Sequence, residues 1–385
     1  MSQPALVIFR IGSIGDTVVA LPCFHAVARA FPLHRKFLLT NSVDSMRAST
    51  VESVLAGTGL VDETLYFPVG RGKLNRFAAI ARELRQLSPD ALVYLTPRTN
   101  VLQVYRDLWF FRAAGVRNVV AAPLRRGARQ CRTDPTTGEL EYEVQRLARV
   151  LGAAMPVDLA PASWDLRLSP AEQSAATAHL STLPGRRPLL AIAPGAKIPA
   201  KDWGEARWAA LIRLLQLRVP DVSLVFVGAP DERALTDRLA GLWGGTQINL
   251  CGTLTPRQSA AVLAQCALLV CHDSGPMHLA ASQNTPCIAL FGNFNLPRQW
   301  FPYGVRHVVI HEPLGVQHIG VERVADSVEA TVCSLSSGEV QQREQRSGDV
   351  KPTVPVVTND EDRPDGEYRQ PDKQSAQRQT VRRAR

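Results

Sequence analysis

The sequence predicts an α/β protein of two Rossmann-like domains, each with a parallel sheet, and three observations predict it. The chain has 385 residues, enough for two domains of ordinary size, and 45% of them are apolar. Short apolar runs of β type alternate with stretches of helical spacing through both halves, the signature of a parallel sheet covered by helices. No run of 18 or more apolar residues exists, so no membrane span is expected.

The elements follow in order. Ala5 to Phe9 is an apolar strand. It leads through Arg10-Ile11-Gly12-Ser13-Ile14-Gly15-Asp16 into a helical stretch from Thr17 toward Phe31. Pro22 lies inside that stretch and should kink or restart it. Arg35 to Thr40 and Ala91 to Leu95 look like strands. Leu74 to Leu87 and Leu140 to Leu151 carry apolar residues at helical spacing. Residues 155–188, rich in Pro and polar side chains, should hold the domain junction. The second half repeats the plan: strand Leu189 to Ala193, helix Trp208 to Leu217, strand Val222 to Val227. Gly228-Ala229-Pro230 then turns into a helix at Asp231 to Leu239, and Thr255 to Cys266 is another helix. Cys266 to Cys271 and Cys287 to Phe291 are buried-type strands, and Val321 to Val332 closes with helical periodicity.

Residues 1–165 therefore form one domain and 166–335 the second. From Ser336 to Arg385 large apolar side chains almost vanish. Such a tail cannot bury enough surface to offset its ordering entropy and is expected to be disordered. The seven cysteines (23, 131, 251, 266, 271, 287, 333) have no metal spacing. They read as small core residues in a reducing cytosol. The amino terminus lacks a basic n-region and enters a strand at once, so it is not read as a signal peptide. The net charge is +9, and the tail's ten basic and nine acidic residues account for little of it. Between Asp107 and Asp134 stand six arginines (112, 117, 125, 126, 129, 132) and no acid. This segment is either a solvated loop or a surface for an anionic saccharide or membrane leaflet. No nucleic-acid module accompanies it.

Two turns carry chemistry. Residues 271–292, CHDSGPMHLAASQNTPCIALFG, read as strand, polar turn, helix start and strand. In a parallel sheet such a turn lies at the carboxyl edge, where ligands bind. The helix amino terminus offers N–H groups and a positive dipole end to a phosphate. Pro276 fits the first turn, Ser274 adds a hydroxyl, and His278 sits about one turn in. The plain alternative is a capped helix with a packing histidine. In the first turn, Gly12 and Gly15 permit a tight loop, and Asp16 has the residue type of an N-cap. The glycines do not make a dinucleotide fingerprint.

Together these residues resemble the glycosyltransferase family that contains the ADP-heptose:lipopolysaccharide heptosyltransferases. Its Gly-Asp motif stands here as ALVIFRIGSIGDTVVALP and its Asp-Ser/Thr-Gly-x-x-His block as HDSGPMHLAASQNTPCIALFG. Its Pro-Gly-Ala with Lys-x-Trp stands as PGAKIPAKDW, residues 194–203. The resemblance runs in order across residues 5–333. It implies the GT-B architecture, two Rossmann-like domains facing across a cleft, with the donor on the second and the acceptor along the first.

The resemblance further implies an inverting transfer of a sugar, heptose from ADP-heptose, onto an anionic glycan or glycolipid such as the lipopolysaccharide inner core. Asp16, beside Gly15, matches the catalytic base. Lys201 matches the lysine on the donor phosphates, with Lys197 as a rival. Gly195 and Ala196 would bring N–H groups to the same diphosphate, and Ser274, Gly275, Met277 and His278 would hold its other side. Asp273 and His278 match the donor-block Asp and His, and Glu232 falls where an acid reaches the nucleoside. Arg125, Arg126 and Arg129 stand on the acceptor side. No Asp-x-Asp donor loop is present, so no metal or cofactor beyond the nucleotide sugar is expected. The location expected is cytoplasmic, with peripheral contact at the inner membrane face. Asn293-Phe294-Asn295 replaces the small or hydroxylated pair usual after the last strand, which leaves the sugar open. The alternatives are the same fold with another nucleotide sugar and a glycan or protein acceptor, or a non-catalytic relative. A hydrolase triad is excluded, because Asp273 and Ser274 are adjacent and no G-x-S-x-G elbow exists.

Overall fold

The structure, a computed structural model, describes residues 3–41, 51–67, 74–183, 187–336 and 356–357. The chain divides into two compact units, Met1–Ala176 with Thr255–Ala261, and Thr177–Leu254 with Val262–Arg385.

The first unit contains β1 (Ala5–Phe9), α1 (Ile14–Val19), α2 (Leu21–Ala30), β2 (Arg35–Asn41), α3 (Val51–Leu55), β3 (Glu63–Phe67) and α4 (Leu74–Leu87). It continues through β4 (Ala91–Tyr94), α5 (Val101–Ala113), β5 (Val119–Val120), α6 (Arg126–Arg129) and α7 (Glu143–Gly152) into α8 (Pro170–Leu180). Its sheet is parallel in the order β3-β2-β1-β4-β5. All five residues of β1 are buried, as expected of a central strand covered on both faces. Phe9 stands edge-on to Phe67, Tyr94 and Phe111 at 5.0–5.2 Å between ring centres, and these rings anchor one core layer.

The second unit holds β6 (Leu189–Ala193), α9 (Glu205–Arg218), β7 (Ser223–Phe226), α10 (Arg233–Ala240), β8 (Gln247–Asn249), the end of α11 (Pro256–Leu263), whose start belongs to the first unit, and β9 (Leu268–His272). It ends with α12 (Gly275–Ser282), β10 (Cys287–Phe291), β11 (Val308–His311), α13 (Val321–Ser336) and β12 (Val356–Val357). The sheet order is β12-β11-β10-β9-β6-β7-β8, again parallel. Trp203 and Trp208, both fully buried, pack with Leu211, Phe226 and Ile288 in its core.

Packing divides the chain differently from a single cut after residue 165. Arg257 explains part of the difference. Buried in α11, its guanidinium meets Glu172 at 2.6 and 2.8 Å and the carbonyls of Leu166 and Arg167 at 2.8 and 3.0 Å. These contacts tie the start of α11 and of α8 to the first unit.

The first helical stretch starts at Ile14 rather than Thr17 and breaks at Ala20, with α2 restarting on Pro22 in its first turn. The Pro-rich stretch at 155–188 contains α8 as well as loop. Of the tail expected to be disordered, Ser336 closes α13 and Val356–Val357 pair beside β11; the rest lies outside the described residues. Among the described residues no disulfide forms, and no helix is long and apolar enough to cross a membrane.

The two topologies fix where ligands can sit. In the first sheet the chain leaves β1 toward β2 on one side and later returns to β4 on the other. In the second sheet β6 leads to β7, and β9 returns on the opposite flank. Each reversal opens a crevice outside the carboxyl ends of two neighbouring strands.

Candidate functional site

At the β1/β4 crevice the chain turns from Phe9 into α1. Ser13, not Asp16, is the N-cap, and Asp16 is the third helical residue. Its Oδ2 accepts from the Ser13 N–H and from the Ser13 hydroxyl, both at 2.8 Å, a reciprocal capping box. Gly15, the second helical residue, is buried. Gly12 lets the side chain fold back, since a Cβ there would lie 2.6 Å from the Asp16 Cβ. Asp16 keeps 24% of its side chain exposed, so a cap contact leaves an accessible carboxylate.

Sequence reasoning missed what lies beneath it. Arg10 is fully buried. Its Nη1 donates to the Leu95 carbonyl at 2.6 Å and its Nη2 to the Asp16 carbonyl, and Nη2 stands 4.0 Å from Asp16 Oδ1. Burial pushes the guanidinium pKa down and the Asp16 charge opposes that shift. Glu143 and Arg146 of α7, also buried, pair through Nε–Oε2 at 2.8 Å, and Glu143 adds negative charge near Arg10. The legible signal was a lone arginine closing an apolar strand.

The acceptor-side arginines divide. Arg125, the N-cap of α6, and Arg126, its first residue, are exposed. Arg129 instead folds onto its own loop, donating to the carbonyls of Pro123 and Leu124. Arg146 and Arg149 of α7 hold α6 through the Ala128 and Gly127 carbonyls at 2.6 and 2.8 Å.

The β6/β9 crevice brings the donor-side residues together within the second unit. Beyond β6, Pro194-Gly195-Ala196 runs to a 3₁₀ turn at Pro199–Lys201. Beyond β9, Asp273 and Ser274 lead to α12, with Pro276 in its first turn. Lys201 Nζ and Asp273 Oδ2 bridge the two loops at 2.5 Å. His272, fully buried, ties the same loops. Its Nε2 accepts from the Trp203 N–H at 3.0 Å, which leaves Nδ1–H facing the Gly195 carbonyl at 3.4 Å. Trp203 is anchored by Nε1 to the Ile319 carbonyl at 2.9 Å, and Trp208 stacks edge-on to His272.

Glu232 closes a third side. It accepts from the Ala229 N–H at 2.8 Å. A Cβ at Gly195 or Gly228 would overlap its carboxyl group, which is why both loops need glycine there. Burial raises its pKa, and the charge of Lys197 acts the other way. Lys197 itself is exposed. Ala196, Ser274 and Gly275 are partly exposed, while Met277 and His278 are buried. Met277 packs in the core and can offer a ligand only its backbone.

The residues flagged as unusual enter this site directly. The Phe294 ring lies 5.0 Å below Lys201 Nζ, and Asn295 Nδ2 donates to Asp273 Oδ2. A cation held over an aromatic face and paired with a carboxylate thus stands beside the amino terminus of α12, where the helix dipole favours negative charge.

The sequence comparison decides the family. The model for glycosyltransferase family 9 (heptosyltransferase) matches residues 124–322, just over half of the chain. The chain belongs to that family. Among curated relatives of glycosyltransferase family 9, lipopolysaccharide heptosyltransferase 2 of Escherichia coli (strain K12) is 27% identical over 307 residues, covering 72% of this chain and 80% of that one. The family 9 glycosyl transferase of Veillonella parvula DSM 2008 superposes with a TM-score of 0.66 at 18% identity, covering 87% and 99%. E. coli heptosyltransferase WaaC with ADP gives 0.59 at 18%, covering 85% and 99%. The fold is thus of the GT-B type, and the family 9 chain is a glycosyltransferase.

His272 gives a pH prediction. Burial holds its imidazole at about 4, against an ordinary 6.5. The unfolded chain takes up this proton below 6.5 and the folded chain only near 4. Stability is therefore present above 6.5 and lost as pH falls toward 4, at about 1.4 kcal/mol per pH unit. Thermal midpoints measured across that window should fall steeply in the wild type and less steeply in His272→Gln. Equal slopes would remove His272 as the acid-sensitive group.

Proposed function

We propose that this glycosyltransferase moves heptose from ADP-heptose, with inversion, onto an anionic glycolipid of the lipopolysaccharide inner core. The observation that carries the reading is the convergence of Lys201, Asp273 and the α12 amino terminus outside the β6/β9 switch point. The relatives named for heptose transfer and the WaaC structure with ADP support it.

In this reading the acceptor hydroxyl attacks the anomeric carbon as the bond to the diphosphate breaks. Asp16 takes the hydroxyl proton late in the transition state. Charge growing on the leaving diphosphate meets Lys201, the N–H groups of Gly195 and Ala196 on one side and those of Gly275, Met277 and His278 on the other. The Ser274 hydroxyl adds a donor. Glu232 reaches the nucleoside. These fixed donors take the place of a metal ion. Arg125 and Arg126 bind the anionic acceptor, and the enzyme works at the cytoplasmic face of the inner membrane.

A second reading keeps the reaction and changes the sugar. Phe294 and Asn295 favour it, because they stand where the family usually has a small or hydroxylated pair and contact Lys201 and Asp273.

One set of assays separates the readings. ADP-heptose should raise the thermal midpoint of the purified protein more than UDP- or GDP-sugars do. It should also support product formation with an inner-core acceptor. Replacing Arg125 and Arg126 with Ser should raise the acceptor KM severalfold and flatten its salt dependence, leaving the donor KM unchanged. Stabilisation and turnover with a different nucleotide sugar would establish the second reading. An unchanged acceptor KM would take the two arginines out of recognition.

A further inference from the structure

The outward face of α5 takes no part in either crevice. Its inner side packs through Val104, Asp107 and Phe111. Its outer side presents Leu102, Tyr105 and Trp109, 70%, 49% and 74% exposed. At spacings of three and four these side chains form one stripe along the helix. Exposed apolar residues are ordinary when scattered, but a contiguous row marks an interaction surface.

Charge identifies the partner. Arg106 and Arg112 stand exposed on the same face. The only carboxylate of the helix, Asp107, is fully buried and engaged by Tyr94 at 2.8 Å, Arg98 at 2.8 Å and Arg106 at 2.8 Å. Two guanidiniums on one carboxylate leave positive charge over. The outer face therefore combines Trp, Tyr and Leu with arginines and shows no acid. That is the composition of a helix lying in a lipid headgroup region, its aromatic rings at the boundary and its cations on anionic heads.

We propose that the Leu102–Tyr105–Trp109 face of α5 docks this protein on an anionic lipid surface. The choice of lipid as occupant rests partly on the glycolipid acceptor proposed above. The test therefore uses vesicles without donor or acceptor, so a failure here leaves the transfer reaction standing, and an inactive enzyme leaves the docking standing.

The full chain is sedimented with vesicles of phosphatidylglycerol and phosphatidylethanolamine, and with vesicles of phosphatidylcholine alone. Anionic vesicles should bind it, neutral ones weakly, and 0.5 M salt should release much of it. The variant with Leu102, Tyr105 and Trp109 changed to Ser should bind about tenfold less. Because that variant can fail to fold, Trp109→Phe supplies a second reading. The wild type's tryptophan emission should shift to the blue on anionic vesicles, and the shift should shrink in Trp109→Phe. No binding by the wild type, equal binding by the triple variant, or an identical shift in Trp109→Phe overturns the proposal. So does a wild type that self-associates through this face, with the triple variant monomeric and vesicle binding unchanged.

Discussion

Asp16→Asn should lower turnover by about 10²-fold or more while donor binding stays near wild type. Asparagine keeps an oxygen that can accept from the Ser13 N–H and hydroxyl, the contacts that start α1. Arg10 retains its bonds to the carbonyls of Leu95 and Asp16. The substitution therefore removes the negative charge and the proton acceptor and leaves the helix start in place. In the proposed reading donor affinity is set in the second unit, so it should not move. Ser13→Ala is the matched control: it takes one hydrogen bond from the carboxylate and should cost far less. Turnover at saturating substrate, with nucleotide affinity measured by calorimetry, decides the matter. Near-wild-type turnover in a folded Asp16→Asn protein would end its role as the base.

How much of the fold was legible depended on contrast. β1, β6 and β10 are buried on both faces and read as unbroken apolar runs between turns. α4 has one clean apolar face and was found to the residue. α5 was invisible because Val104 and Phe111 face in while Leu102, Tyr105 and Trp109 face out. Apolar on both sides, it shows no helical period, and that same feature marks its outer face as a contact surface. β8 and β11, of three and four residues, lie toward the sheet flanks and were too short to stand out.

The site was legible where a motif demands a residue type and opaque where packing demands it. In sequence Gly195 stands only as part of the Pro-Gly-Ala motif, offering a backbone N–H. Only the fold shows that the Glu232 carboxyl fills the space a Cβ would need. His272 was passed over beside Asp273, although it joins the two loops that place Lys201. Arg10 closes a strand, and its partners Leu95 and Glu143 are far away in sequence, so no local pattern announces it. Asn293-Phe294-Asn295 stood out only as a departure. Its meaning came from the contacts of Phe294 with Lys201 and of Asn295 with Asp273.

Lys201→Ala should weaken nucleoside diphosphate binding by roughly 2–3 kcal/mol, the scale of a charge-assisted contact in a partly desolvated site. That is about a 30- to 150-fold rise in Kd. The Asp273 pairing makes the expectation sharper. Lys201 Nζ sits 2.5 Å from Asp273 Oδ2, with Asn295 on the same oxygen. Removing the lysine deletes an attraction and also leaves a carboxylate facing the incoming phosphates. Part of the loss is therefore repulsion, and Asp273→Asn in the Lys201→Ala background should recover some affinity. A lysine acting as an isolated point charge would show no such coupling. Activity should also survive chelators, since the cationic charge comes from the protein. Calorimetry with ADP on the two single variants and the double variant completes the cycle. Unchanged affinity in Lys201→Ala, or an activity abolished by chelator and restored by a divalent cation, would show that the leaving diphosphate is held by something other than this pair.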